Sequence, residues 1–321
     1  MPPRETSCPV CLEGSPAFAC KAILYPGCEK TISSCPSCGA SFYQPVPETE
    51  EVSRCYPPVY HTDFFKQYWK DYYKGRALAL DLASWKRSGD FLDVGCALGT
   101  LAAGLRDHGG WSARGLEFSP SAAGLGRELN KIEIVRAGLA QAPWPDASFD
   151  CIHINNVLEH ERDPAQALAC AARLLRPGGR LLLTVPNGPV DLRPNLTLYR
   201  RLGRAVPTRH GGHLFFLPPK ALEKLFERAR LRVLSMRGFH LKLGMKARGW
   251  LPGSYRPFLS APATAPGPKD PEAPPEDLDS LRALIGPEPS WTAYRLQRTW
   301  NRWWRFKDCS FGYDLEVLAE K

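Results

Sequence analysis

The chain has 321 residues, 44% of them hydrophobic and 23% charged, the balance of a globular protein with room for about two domains. That balance excludes a wholly disordered, collagenous or small disulfide-bonded protein, and no run approaches the roughly 20 apolar residues of a spanning helix. Lys and Arg exceed Asp and Glu by 42 to 33, a net charge of +9, which favours anionic partners.

Residues 1–45 hold six of the eleven cysteines. The opening MPPRETSCPVC has no apolar export signal, so a cytoplasmic setting with reduced thiols is expected. Cys8-Pro-Val-Cys11 and Cys35-Pro-Ser-Cys38 are paired C-x-x-C knuckles 23 residues apart, a spacing that suits one tetrahedral zinc on four thiolates. Cys20 and Cys28 have the wrong spacing for a second site, and Cys96, Cys151 and Cys170 read as small buried residues. Residues 46–88 form a lead-in, with an aromatic amphipathic helix expected over 60–88.

From residue 89 to 240 short apolar strands alternate with helical patterns, the signature of a parallel α/β sheet. Strands are expected at 91–95, 113–118, 132–137, 149–156, 180–186 and 231–239, with a final one at 313–321. Helices are expected at 98–108, 120–130, 163–179 and 218–230; Ser119-Pro120 and Asp163-Pro164 mark two starts, and Pro177-Gly178-Gly179 one end. Residues 241–310 look like an insertion. Its stretch 261–290 carries eight prolines and allows one short helix at most, around Leu278, Leu281, Leu284 and Ile285. Its stretch 291–307 has five basic residues, six aromatics and no acid. Leu296, Trp300, Trp303 and Trp304 share one helical face there, expected to pack inward as part of an acceptor cover; an anionic membrane surface is the competing reading.

The sharpest signal is FLDVGCALGT (91–100): a strand through Asp93, a turn with Gly95 and Gly99, then a helix. Glycines allow close backbone approach to a ligand, and the helix start offers free N–H groups. Glu117 ends the next strand, 22 residues after Gly95, where a carboxylate can accept two hydrogen bonds from a ribose diol. The dinucleotide pattern Gly-x-Gly-x-x-Gly is not met.

At these residues the chain resembles the class I S-adenosylmethionine (SAM)-dependent methyltransferases, whose first strand ends in Asp-x-Gly-x-Gly-x-Gly; Ala97 stands where the middle glycine usually sits. GLAQAPWPDASFDCIHINNVLEHERDP (138–164), ARLLRPGGRLLLTVPN (172–187) and HLFFLPPKALEKLFERARLRVL (213–234) extend the resemblance, nearest to the ubiquinone-biosynthesis type of O-methyltransferase. Many relatives also begin with a zinc ribbon. The resemblance implies a Rossmann-like α/β fold, a seven-stranded sheet in order 3-2-1-4-5-7-6 with the last strand antiparallel, spanning 89–321. It implies that Asp93, Gly95, Ala97 and Gly99 line the methionine end and sugar of SAM. Glu117 would bind the ribose, Phe118 the adenine face, Gly138 and Leu139 the adenine edge, and Asn155 and Asn156 the methionine. Many members carry an Asp at the adenine edge, and this chain does not.

The expected activity is methyl transfer to a small-molecule, sugar or lipid-linked acceptor, at oxygen. A hydroxyl acceptor needs a base; His160 is the first candidate, with His213 and His210 next and Glu159 structural. Two other readings stay open: an RNA methyltransferase, which the net charge favours but no RNA-reading module supports, and a catalytically silent SAM-binding scaffold.

Overall fold

Near-continuous apolar runs make the central strands. Phe91, Leu92 and Val94, then Phe149, Cys151, Ile152 and Ile154, and then Leu181, Leu183 and Val185 are all buried, as strands covered on both faces must be. In the computed structural model, residues 7–25, 27–55, 62–208, 212–259, 278–303, 309 and 312–321 are described. After the first cysteine pair come β1 (Ala17–Tyr25), β2 (Cys28–Ser34) and β3 (Ser41–Tyr43). The larger region supplies β4 (Ser88–Val94), β5 (Gly110–Glu117), β6 (Glu133–Arg136), β7 (Phe149–Asn155) and β8 (Leu175–Pro186). Two short strands, β9 (Val206–Pro207) and β10 (Phe215–Phe216), precede β11 (Arg232–Phe239) and β12 (Asp314–Glu320).

The seven-stranded sheet runs β11-β12-β8-β7-β4-β5-β6. Numbered within the sheet and read from the β6 edge, this is the expected 3-2-1-4-5-7-6. β12 lies antiparallel to both β8 and β11, while β4, β5, β6, β7 and β8 run parallel. Two expected helix starts are capped as the sequence suggests. Ser119 Oγ accepts from the Ala122 N–H at 3.3 Å, and Asp163 Oδ1 from the N–H groups of Ala165 and Gln166 at 3.0 and 2.9 Å. One boundary differs: the helix Pro164–Leu174 stops before Pro177-Gly178-Gly179, and β8 starts at Leu175 with an irregular register before Arg180. The turn is therefore folded into the strand.

The expected helix over 60–88 is two helices, Thr62–Lys66 and Tyr68–Leu82. The second packs against Thr100–His108 at very close range. A Cβ on Gly75 would fall 2.0 Å from the Leu101 carbonyl oxygen, and one on Gly104 2.0 Å from that of Tyr72.

A second sheet, β10-β3-β2-β1-β9, joins the cysteine-rich segment to the rest of the chain. β9 pairs in parallel with β1, and β10 pairs antiparallel with β3 through Phe215–Phe42 and Phe216–Ser41. Arg228 Nη1 donates to the carbonyls of Pro9 and Val10 at 2.7 and 2.6 Å. One buried apolar cluster runs from Val10, Ile32 and Phe42 through Leu217, Leu222 and Phe226 to β7 and β8. The described part of the cysteine-rich segment thus shares a sheet and a buried cluster with the larger region.

The insertion carries helices Leu241–Ala247, Arg256–Leu259, Leu278–Ala283 and Trp291–Trp303. The one short helix expected near Leu278 is present, with Leu281 buried among Phe65, Leu98, Leu125 and Leu129. Of the last helix's face that is expected to pack inward, Leu296 and Trp300 do not. Trp291 and Tyr294 pack on Tyr73, Arg76 lies over the Trp291 ring, and Arg298 pairs with Asp81. Leu296 and Trp300 stay 69% and 62% exposed. The aromatic face at positions 291 and 294 packs on the lead-in helix, which turns the face bearing Leu296 and Trp300 outward. The side chain of Trp303 and all of Trp304 lie outside the described residues, as does His210.

Candidate active site

The turn after β4 is built for close approach. Gly95, Ala97 and Gly99 all have left-handed φ, at +68°, +49° and +67°. A Cβ on Gly95 would meet Val157 Cγ2 at 2.3 Å, so the β7 exit packs directly on this turn. Glu117 closes it from β5: Oε2 accepts the Ala97 N–H at 2.9 Å and Oε1 the Ser119 N–H at 2.8 Å. The carboxylate is buried at the end of β5. Phe118 beside it is 68% exposed, a ring face open for stacking.

The other expected cofactor residues divide. Asn155 and Asn156 stand exposed at the carboxyl end of β7, with Asn156 at φ +52°. Gly138 opens the short helix Leu139–Gln141 after β6, and Leu139 points into the main core. Asp93 is buried, and its Oδ1 meets His153 Nδ1 at 2.8 Å. It ties the ends of β4 and β7 together. Cys96 is buried; burial first, then Asp93 and Glu117, keep its thiol protonated.

A second group forms between β7 and β10. His160 Nδ1 bonds to the Gly212 carbonyl at 2.8 Å, and His213 Nδ1 to Asp191 Oδ2 at 2.7 Å. Both rings therefore turn Nε2 toward Glu159 Oε1, each at 3.9 Å. Glu159 is buried, and neither of its oxygens finds a hydrogen-bond partner. Burial pushes its pKa up to about 7 against the pull of His213. Burial disfavours the charged form of His213, but Asp191 outweighs it and the net shift is upward. The Tyr313 hydroxyl bonds to the other Asp191 oxygen. The three facing donor atoms lie within 4.8 Å of one another, so the group can pass a proton or hold a cation. Sequence reasoning named His160 and His213 but gave Glu159 a structural role and missed Asp191 and Tyr313. A carboxylate between Val190 and Leu192 was the only sign of Asp191.

The four expected metal ligands, Cys8, Cys11, Cys35 and Cys38, are brought together and buried. Sulfur pairs Cys8–Cys38 and Cys11–Cys35 are each 3.7 Å apart. Zinc–sulfur bonds of about 2.3 Å in a tetrahedron put sulfurs about 3.8 Å apart, so the cage has the size that zinc needs. Burial pushes the Cys8 thiol up to about 11 against the backbone N–H groups of Val10 and Cys11, while at Cys35 burial is outweighed by the N–H groups of Cys38 and Ser37 and the thiol is shifted down.

Comparison with known proteins agrees with the fold. A family described as a methyltransferase domain matches residues 67–236. A ubiquinone biosynthesis O-methyltransferase from Alkalilimnicola ehrlichii is 30% identical over 160 residues, 46% of this chain and 62% of that one. A ubiquinone/menaquinone biosynthesis C-methyltransferase from Cronobacter sakazakii is 31% identical over 124 residues, 36% of this chain and 49% of that one. The chain thus spans about half of the length of the curated relatives it matches. A solved SAM-dependent methyltransferase from Methanosarcina mazei aligns with TM-score 0.41 and 18% identity, over 49% of this chain and 86% of that one. Matched by the family over more than half of its length, and carrying the glycine turn at the end of the first strand of a 3-2-1-4-5-7-6 sheet, the chain belongs to the class I SAM-dependent methyltransferases.

Proposed function

We propose that this methyltransferase acts on a hydroxyl of a small-molecule, sugar or lipid-linked acceptor, with Glu159, His160 and His213 as the group that removes the proton. The observation that carries this reading is the buried Glu159 carboxylate, without a hydrogen-bond partner and facing two Nε2 atoms whose rings are fixed through Nδ1. A hydroxyl must lose its proton as it attacks the methyl carbon, which is the step such a group serves. When bound, SAM supplies the electrophilic methyl carbon. Gly95, Ala97 and Gly99 would let the backbone approach its methionine and sugar, with Asp93 holding the turn in place through His153. Glu117 would take the ribose diol, Phe118 the adenine face, Gly138 and Leu139 the adenine edge, and Asn155 and Asn156 the methionine. His160, the more exposed of the two imidazoles, would accept the hydroxyl proton at Nε2. Glu159 would stabilise the imidazolium that forms, and His213 would hold Glu159 in position. Cys8, Cys11, Cys35 and Cys38 would hold a structural zinc.

The test is incubation with isotope-labelled SAM and a cell extract, followed by fractionation. Label should enter an oxygen-methylated small molecule, and His160→Ala should lower its formation by about 10²–10⁴-fold with little change in SAM affinity. Label found in RNA, or no SAM turnover at all, overturns the reading.

A further inference from the structure

A cavity lies between one side of the helix Arg193–Leu202 and the turn 248–256. It measures about 730 Å³, and four arginines line it: Arg193, Arg201, Arg248 and Arg256. Its described lining contains no carboxylate. Arginine keeps its charge at any physiological pH, so four positive charges converge on one concave space. Their mutual repulsion shows at half-buried Arg248, where burial and then the Arg193 guanidinium work against the proton.

A smaller cavity of about 370 Å³ adjoins the first and shares Arg193 and Arg248 with it. It is lined also by Asn187 and Val190. Asn187 directly follows β8 at the carboxyl end of the sheet. Val190 precedes Asp191, the partner of His213. The arginine cavity thus connects with the end of the sheet where the acceptor must reach the methyl group.

From this arrangement we propose that the arginine cavity anchors a phosphate- or diphosphate-bearing acceptor, with the phosphates at Arg193, Arg201, Arg248 and Arg256 and the remainder extending through the smaller cavity toward the Glu159–His213 group. Guanidinium forks match phosphate oxygens in pairs. A volume of about 730 Å³ suits an organic phosphate ester rather than a bare ion, given that small-molecule pockets span roughly 300–1,000 Å³. This deepens the acceptor reading above and rests on it.

The phosphate ester can be free or can be the headgroup of a lipid, and the test separates the two. Full-length protein saturated with S-adenosylhomocysteine is titrated calorimetrically with inorganic pyrophosphate. It is also sedimented with phosphatidylglycerol/phosphatidylcholine vesicles. Saturable pyrophosphate binding, weakened at least tenfold in Arg193→Gln/Arg248→Gln and only partly in Arg248→Lys, is expected. Unchanged S-adenosylhomocysteine affinity in each variant shows that it is folded. Vesicle binding that depends on the same two arginines, without pyrophosphate binding, assigns the phosphate to a lipid headgroup. The proposal is overturned if neither probe binds. It is also overturned if the double variant binds like the unmodified protein, or if Arg237→Gln, outside the cavity, loses as much. Pyrophosphate binding does not require turnover, so a failure of the O-methylation reading would leave this result standing, and the reverse.

Discussion

Replacing Glu117 with Gln tests the cofactor turn at its most connected point. The carboxylate holds two backbone N–H groups, Ala97 at 2.9 Å and Ser119 at 2.8 Å, and under the proposed function it also accepts from the ribose diol. Gln keeps one acceptor oxygen and turns an NH₂ toward the other N–H. One charge-assisted bond within the turn is lost, about 1.5–3 kcal/mol. The diol loses a comparable contact, so S-adenosylhomocysteine should bind about 10- to 100-fold more weakly. Urea unfolding of the ligand-free protein and calorimetric titration with S-adenosylhomocysteine read the two effects separately. A lower unfolding midpoint with affinity unchanged within threefold would reduce Glu117 to a brace for the turn and refute its part in ribose binding. Asp at this position keeps the charge but lacks the reach to serve both N–H groups, and should fall between the two.

Purified protein should carry one zinc per chain by elemental analysis. Cys35→Ser should release it and lower the melting temperature, because the ribbon shares a sheet with β9 and β10; full metal content in that variant would count against the four-cysteine cage. Gly95→Ala places a Cβ 2.3 Å from Val157 at φ +68°, so SAM affinity should drop and stability fall by about 1–3 kcal/mol; ordinary calorimetric binding in that variant would show a turn looser than described. The pKa of Glu159 is raised from 4.5 to about 7, so the fold favours its protonated form. That contribution is whole below about pH 4.5 and is lost as pH rises through about 7. Glu159→Gln, neutral throughout, should therefore gain on the native protein over that window, reaching up to about 3 kcal/mol near pH 8. A pH-independent difference in denaturant unfolding would remove the basis for the shift.

The strands of the large sheet were readable because each is an apolar run closed by a turn signal, and the order of motifs placed them in the sheet. Asp93 through Glu117 could be picked out because glycine turn and carboxylate keep a fixed spacing, and the structure brings that turn and Glu117 together. What could not be read were pairings between distant residues. Nothing in PTRHGGHLFF says that Phe215 and Phe216 will pair with the ribbon, since a two-residue strand has no period. The helix Trp291–Trp303 carries two apolar stripes, and only the position of Tyr73 decides which one packs. The partners Asp191–His213 and Asp93–His153 are likewise set by topology, with no rule of spacing behind them.

The shared small sheet has a consequence for synthesis on the ribosome. β1, β2 and β3 emerge early, but the strands that flank them, β9 and β10, are translated about 160 residues later. Through that interval both outer strands lack their neighbours, and Phe42 lacks the Phe215 ring that later packs on it at 5.7 Å. Unpaired strand edges are templates for association with other chains. Metal captured by the two cysteine knuckles would hold the nascent hairpin in register until its neighbours arrive. In a zinc-starved cell the expected first symptom is therefore insoluble newly made chain, while molecules completed earlier keep their activity.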